Sequence, residues 1–394
     1  MEGGGVRSGD DRISLLPEDL MCNIVSFLRP KDAVRTSVLS SRWRNLWLKV
    51  STLDLNVAHI RNYDACVSLI DMFHKYGSYL STFKLTFDQD ICGHNFSPLE
   101  PCLSRVLINQ FSKLVCLRLS LVRLNGFESL EFPCLKIMNL SHVKFPSNDA
   151  ATMLVPCSPV LEELVIRRAL NTIAELDLRV CSKSLERLSL SLFYYADNKG
   201  GGTAAVIDAP RLKYLSLKAS QHEIIRIINI SPLATIGLDV LDFASTDDSC
   251  KFRERNSLYN LLTNVSSVGD MTISRETLML IHHMRDFNPL PNFYDLSRLS
   301  VTMHSYEYQE LLPFFLESCP NKETKLSRLL PCCLLSSFES VDIKSPITKK
   351  GTELKLVRYF LKNSATLKKL VLRLNQSYGE KQEFQQLLEY PRVN

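Results

Sequence analysis

One spacing of apolar residues recurs along the chain: apolar-x-x-apolar-x-apolar. It is clearest from Leu114 (LVCLRL), Leu135 (LKIMNL), Leu161 (LEELVI), Leu185 (LERLSL) and Leu212 (LKYLSL), at intervals of 21, 26, 24 and 27 residues. Weaker copies begin at Val50, Leu80, Leu233, Val268, Leu296, Phe338 and Leu367. The last two apolar positions of each copy are two apart, so on a strand both side chains point to one face. The alternate positions point the other way: Cys116, Arg118, Ser120; Ile137, Asn139, Ser141; Glu163, Val165, Arg167; Arg187, Ser189, Ser191; Tyr214, Ser216, Lys218. All but Cys116, Ile137 and Val165 are polar or tyrosine, as a solvated strand face requires. Units of this length stack their strands in parallel, so the expected class is α/β, an irregular solenoid with a parallel sheet on its concave face. Its register is not fixed by the pattern beyond Leu233.

Ahead of the repeats the pattern is helical. Residues 1–10 are Gly-rich and expected to be flexible, and residues 11–50 predict three short helices. Pro17, Glu18 and Asp19 suit a first turn, and Leu20, Ile24, Phe27 and Leu28 form one apolar face. Pro30 ends that helix. Asp32 is the expected cap of a second, with Ala33, Val34, Val38 and Leu39 on its apolar side. Ser40 or Ser41 caps a third that carries Trp43, Leu46 and Trp47. Both tryptophans of the chain fall there, either in a partner surface or in a miniature core.

Composition adds little to this picture. The chain has 394 residues and a net charge of +5, too small and too dispersed to argue for nucleic-acid binding. Its length exceeds one compact core and fits a row of small ones. The start has no apolar leader and no run reaches about 18 apolar residues, so neither secretion nor a membrane helix is expected. In a reducing compartment the 12 cysteines are read as thiols filling apolar gaps, with Cys116, Cys134 and Cys157 near repeat strands. Five N-x-S sequons, at Asn95, Asn139, Asn229, Asn264 and Asn375, carry no meaning in that compartment.

Candidate chemistry is sparse. No phosphate-loop, dinucleotide, nucleophile-elbow or H-E-x-x-H motif occurs. Cys92-Gly93-His94 and His282-His283 are the only close metal-type clusters, and neither has a second pair at ligand spacing. No metal, cofactor or catalytic residue is expected. Arg118, Arg167, Arg187 and Lys218 would form a positive stripe if they stacked on successive strands, favouring an acidic segment or a phosphate group. Glu163 and Tyr214 share that face, and Phe193-Tyr194-Tyr195 offers aromatic anchors beside a Gly-rich loop. Solvation alone explains the charges equally well.

Two stretches resemble known families. The pattern L-L-P-E-D-L, I-V-S-F-L, K-D-A-V, S-V-L-S and R-W-R-N-L-W across residues 11–50 resembles the plant F-box, although Arg29-Pro30 stands where such sequences commonly read Pro-Thr. Lead-ins such as FPCLK and DAPRLKY before the strands of residues 51–309 are similar to those of plant F-box leucine-rich repeats. F-E-S-V-D-I and G-T-E-L-K-L-V-R-Y-F-L-K-N-S within residues 310–394 resemble the FBD segment, expected to include a short helix over Glu353–Leu361 and to continue or cap the solenoid. Family members usually run further after L-L-x-x-P-R, so the expectation is either a missing last strand or an incomplete gene model. The resemblance implies a substrate-recognition subunit of a Skp-cullin-F-box ubiquitin ligase, acting by proximity and located in cytoplasm or nucleus. It implies that Leu16, Pro17, Ile24, Val38, Leu39, Trp43 and Trp47 contact or shape the surface for a Skp-type adaptor, and that the repeat face binds a protein substrate. A scaffold without ligase output and a small-molecule receptor are the alternatives.

Overall fold

The computed structural model describes residues 13–56, 63–76, 80–86, 111–122, 131–145, 152–167, 177–192, 204–220, 223–241, 248–284, 290–301, 311, 315, 339–347 and 367–374. The chain forms two compact units, residues 1–161 and 162–394.

The first unit opens with α1 (Glu18–Ser26), entered through Pro17 and with Glu18 and Asp19 in its first turn. Its buried face is Met21 and Val25; Leu20, Ile24, Phe27 and Leu28, the apolar face read from the pattern, are exposed. In α2 (Pro30–Arg35) the expected cap is also corrected. Arg29 is the entry residue, no side chain caps the helix, and Pro30 occupies its first turn, where a missing N–H goes unnoticed. The third helix is absent. Residues 41–45 are turns, Asn45 takes a left-handed φ of 65°, and a single 3-10 turn, Leu46–Leu48, follows. A left-handed residue halts right-handed helix propagation, and asparagine tolerates that conformation.

Strands β1 (Thr52–Asn56), β2 (Thr82–Thr86), β3 (Cys116–Ser120) and β4 (Ile137–Ser141) pair in parallel, in that order. The repeat template becomes two buried ladders, Leu53–Phe83–Leu117–Met138 and Leu55–Leu85–Leu119–Leu140. Each such side chain contributes about 1.5–3 kcal/mol on burial. Helix α3 (Tyr63–Tyr76) buries Ile70 and Phe73. The helical module shares this core: α2 packs on β1, and the Trp47 ring meets Phe73 edge-on at 5.4 Å and 69°. It therefore closes the β1 end of the array.

The second unit holds β5 (Glu163–Arg167), β7 (Arg187–Ser191), β9 (Tyr214–Ser220), β11 (Thr235–Leu241), β12 (Asp270–Ile273), β13 (Arg298–Val301), β14 (Ser340–Ile347) and β15 (Lys369–Leu374), all parallel and in that order. A second parallel sheet, ordered β10-β8-β6, comprises β6 (Asp177–Cys181), β8 (Ala204–Ala209) and β10 (Ile224–Ile230). The sequence pattern did not reveal it. The unit also holds α4 (Asp248–Asn264), beside β10, and α5 (Arg275–His283), beside β11.

One backbone device recurs at strand entry: the carbonyl just before a strand accepts two amides from the next. Ser81 O takes Val115 and Cys116 N–H at 2.8 and 2.9 Å, and Glu162 O takes Glu186 and Arg187 N–H at 2.8 and 2.9 Å. Ser297 O takes Glu339 and Ser340, and Glu339 O takes Lys368 and Lys369. The strands of the C-terminal segment thus continue the solenoid by the same rule. The register beyond Leu233 is also settled: Ile236, Met271, Leu299, Val341 and Leu370 form one row. At that repeat the lead position shifts by one, with Leu233 exposed and Ala234 buried. The helix expected over Glu353–Leu361 lies outside the described residues.

Candidate functional site: an apolar docking face and a polar sheet face

The helical module is about forty residues long, too small to bury all its apolar side chains. What it leaves outside is concentrated. Phe27 is 88% exposed, Val38 86% and Leu15 74%, with Ile13, Leu20, Ile24, Leu28 and Leu39 also exposed. The Ser14 hydroxyl lies 3.1 Å from that of Ser40, which ties the turn carrying Ile13 and Leu15 to the segment that follows Val38 and Leu39. Trp43 donates its indole N–H to the same Ser14 hydroxyl, and Arg42 donates to the Ser14 carbonyl. Lys49 pairs with Glu18, and the Lys49 hydrogen bond holds the Glu18 carboxyl below the usual carboxylate range.

The seven residues expected at this surface divide into two groups. Pro17, Ile24, Val38 and Leu39 are exposed and Leu16 is half-buried. Trp43 and Trp47 are buried, Trp43 at 2% exposure, so they act as the floor that holds the others in place. Sequence reasoning missed Leu15 and, of the α1 stripe, named only Ile24 at this surface. The available signal was a stripe too apolar for so small a module, with Met21 and Val25 already supplying a core face.

The polar face of each sheet reads in rows. In the first unit the central row is Asp54–Lys84–Arg118–Asn139, with Lys84 paired to Asp54 at 3.2 Å. In the second, Glu163–Arg187–Tyr214–Thr235–Asp270–Arg298–Ser340–Lys369 is one row and Arg167–Ser191–Lys218–Asp239 another. This corrects the expected positive stripe. Arg187 lies four residues along the strand register from the row of Arg167 and Lys218. Lys218 is paired with Asp239 at 2.8 Å, and Arg298 with Asp270 at 3.0 Å. Arg118, Arg167, Arg187, Tyr214 and Lys218 are exposed and Glu163 is half-buried. Tyr194 and Tyr195 lie outside the described residues, as do Cys92 and His94.

Cysteine burial departs in part from expectation. Of the described thiols, Cys116 is buried, Cys22 and Cys157 are half-buried, and Cys134 and Cys181 are exposed. Burial pushes the Cys22 and Cys157 thiols up, opposite to what a nucleophilic thiolate needs. Among the described residues no three metal-ligating side chains cluster, and no helix is long and apolar enough to cross a membrane.

A small helical module with an apolar outer face, fused into a solenoid of parallel strands, defines an F-box protein with leucine-rich repeats. The family profiles agree: the F-box domain matches residues 13–54, the leucine-rich repeats of FBD-associated F-box protein At5g56370 match 88–288, and FBD matches 327–372. The F-box/FBD/LRR-repeat protein At5g18770 of Arabidopsis thaliana is 45% identical, the alignment covering 98% of this chain and 90% of that protein. The FBD-associated F-box protein At5g18780 of the same plant is 42% identical, covering 100% and 98%. The chain belongs to the plant F-box/FBD/leucine-rich-repeat family.

Proposed function

We propose that this chain is a non-catalytic, intracellular substrate-recognition subunit of a Skp-cullin-F-box ubiquitin ligase. The observation that carries the reading is the exposed apolar face around Phe27, Val38 and Leu15, which folding leaves outside and a Skp-type adaptor would cover. Family membership supports the same partner. The polar sheet faces are the proposed capture surface for a protein substrate, with Arg187 and Tyr214 on neighbouring strands as central anchors, since both residue types dominate binding energy at interfaces. The subunit forms no bonds itself; it holds a target lysine near a charged conjugating enzyme, making transfer effectively intramolecular.

The test is reconstitution of the chain with adaptor, cullin complex and conjugating enzyme, followed by recovery of proteins bound to the repeats. The reading expects adaptor-dependent ubiquitin transfer to a bound protein. Adaptor binding with no transfer to any protein held by the repeats would contradict it.

A further inference from the structure

We propose that the outward face of the β6-β8-β10 sheet is a second docking surface, fitted to an acidic amphipathic helix of another protein. Its inward face is fully committed: Leu178–Ala205–Ile225 and Val180–Ile207–Ile227 form two buried rows. The outward face does not follow the polar rule of the main sheet. Its central row is Arg179–Val206–Arg226, flanked by Asp177–Ala204–Ile224 on one side and by Cys181–Asp208–Asn229 on the other. Ile224 is exposed, and Ile228, at the register shift between Ile227 and Asn229, is 58% exposed. Folding gains nothing from two isoleucines in water.

The charges point the same way. Lys84, Lys218 and Arg298 on the main sheets each have a carboxylate partner, whereas Arg179 and Arg226 have no ion pair among the described residues. The outward carboxylates stand in the flanking rows, Asp177 and Asp208, and the central row itself carries only positive charge. Two strand spacings hold the Cα atoms of Arg179 and Arg226 about 10 Å apart, with Val206 between them. Complementarity therefore asks for two carboxylates at that separation with apolar groups between. On a helix, residues seven apart lie on one face about 10.5 Å from each other, and the third and fourth residues between them share that face. A helix with acids at i and i+7 and apolar residues at i+3 and i+4 meets both arginines while covering Val206 and Ile224. This surface does not depend on the ligase reading, and its failure would leave adaptor binding untouched.

The probe is a set of stapled helical peptides measured by fluorescence anisotropy against the full-length chain. One carries Glu at i and i+7 with Leu at i+3 and i+4; one has Lys for both Glu; one has its Glu residues five apart, on opposite faces. The expected result is binding of the first at micromolar concentration, weakened about tenfold or more by added salt and by Arg179→Gln with Arg226→Gln. The same affinity in the Arg187→Gln chain, altered on the other sheet, is expected as well. Equal binding of the Lys peptide or of the five-apart peptide, loss in Arg187→Gln alone, or no binding of the first up to about 1 mM would overturn the proposal.

Discussion

The indole N–H of Trp43 reaches the hydroxyl of Ser14 at 3.2 Å across 29 residues of sequence. That bond fastens the turn before α1 to the floor of the F-box, so the residue most suggestive of a contact in the sequence is a support. Trp43→Ala should lower stability by about 3–5 kcal/mol in urea unfolding. Trp43→Phe keeps much of the packing and loses the hydrogen bond, so it should fall well short of that loss, with the hydrogen bond contributing about 1 kcal/mol. Equal losses for both would place the tryptophan elsewhere.

Asn45 separates the observed turn from the helix its neighbours suggest. Alanine is the better helix former, so Asn45→Ala would stabilise a continuous helix. With φ at 65° it should instead destabilise by about 1 kcal/mol, while Asn45→Gly is tolerated. Thermal unfolding of the two variants distinguishes the two conformations by sign.

Thr277 ties α5 to the edge of β11. Strand β12 ends at Ile273 while β11 runs on to Leu241, and the Thr277 hydroxyl accepts the Val240 amide at 2.7 Å in a buried setting. Ser274 caps the same helix through the Thr277 N–H. Thr277→Val preserves shape and orphans the amide, so it should cost about 1–3 kcal/mol, and Thr277→Ser should recover most of it. Amide exchange at Val240, faster in the valine variant, reports the same loss locally.

Two exposed ion pairs set part of the acid response. Hydrogen bonds from Lys49 and Lys213 hold the Glu18 and Glu186 carboxyls below their usual range. A carboxyl with a lowered folded pKa contributes stability above its unfolded pKa and loses it as pH falls through the folded value. Lys49, raised by Glu18, contributes below its unfolded pKa and loses that contribution as pH rises through its folded value. Glu18→Gln and Glu186→Gln should each make midpoint denaturant concentrations fall less steeply on acidification. Because both pairs are exposed, the change is small and shrinks with salt.

Much of the solenoid was legible because its signal repeats. The apolar template marks β1 to β5 and every later strand of the main sheets, and the polar alternation names the solvated side. Legibility failed where one residue decides. Leu233 fits the template as well as Leu212, yet Ala234 is the buried residue, because backbone pairing with β9 fixes Ile236 and leaves the lead-in free to shift. Strands β6, β8 and β10 were unread because they fall between the units that the regular spacing picks out, and IIRIINI fits the template only from Ile225 through Ile228 and Ile230, whereas the strand buries Ile225 and Ile227. The α1 stripe was read as one apolar face with only Ile24 assigned to the partner surface: periodicity reports a face, and only packing reports what covers it. The same limit hid the broken stripe of Arg167, Arg187 and Lys218, whose rows depend on register.

The apolar F-box face is the central claim, and its direct test is the affinity of the full-length chain for a purified Skp-type adaptor by calorimetry. Phe27→Ser with Val38→Ser alters two side chains that contribute little to the core, so unfolding midpoints should hold while adaptor affinity falls about a hundredfold or more. Trp43→Phe, at a buried position, should change affinity far less. Tight adaptor binding that disappears in the Phe27/Val38 variant is the predicted result. No binding at micromolar concentration, or equal affinity for the variant and the native chain, would contradict the account.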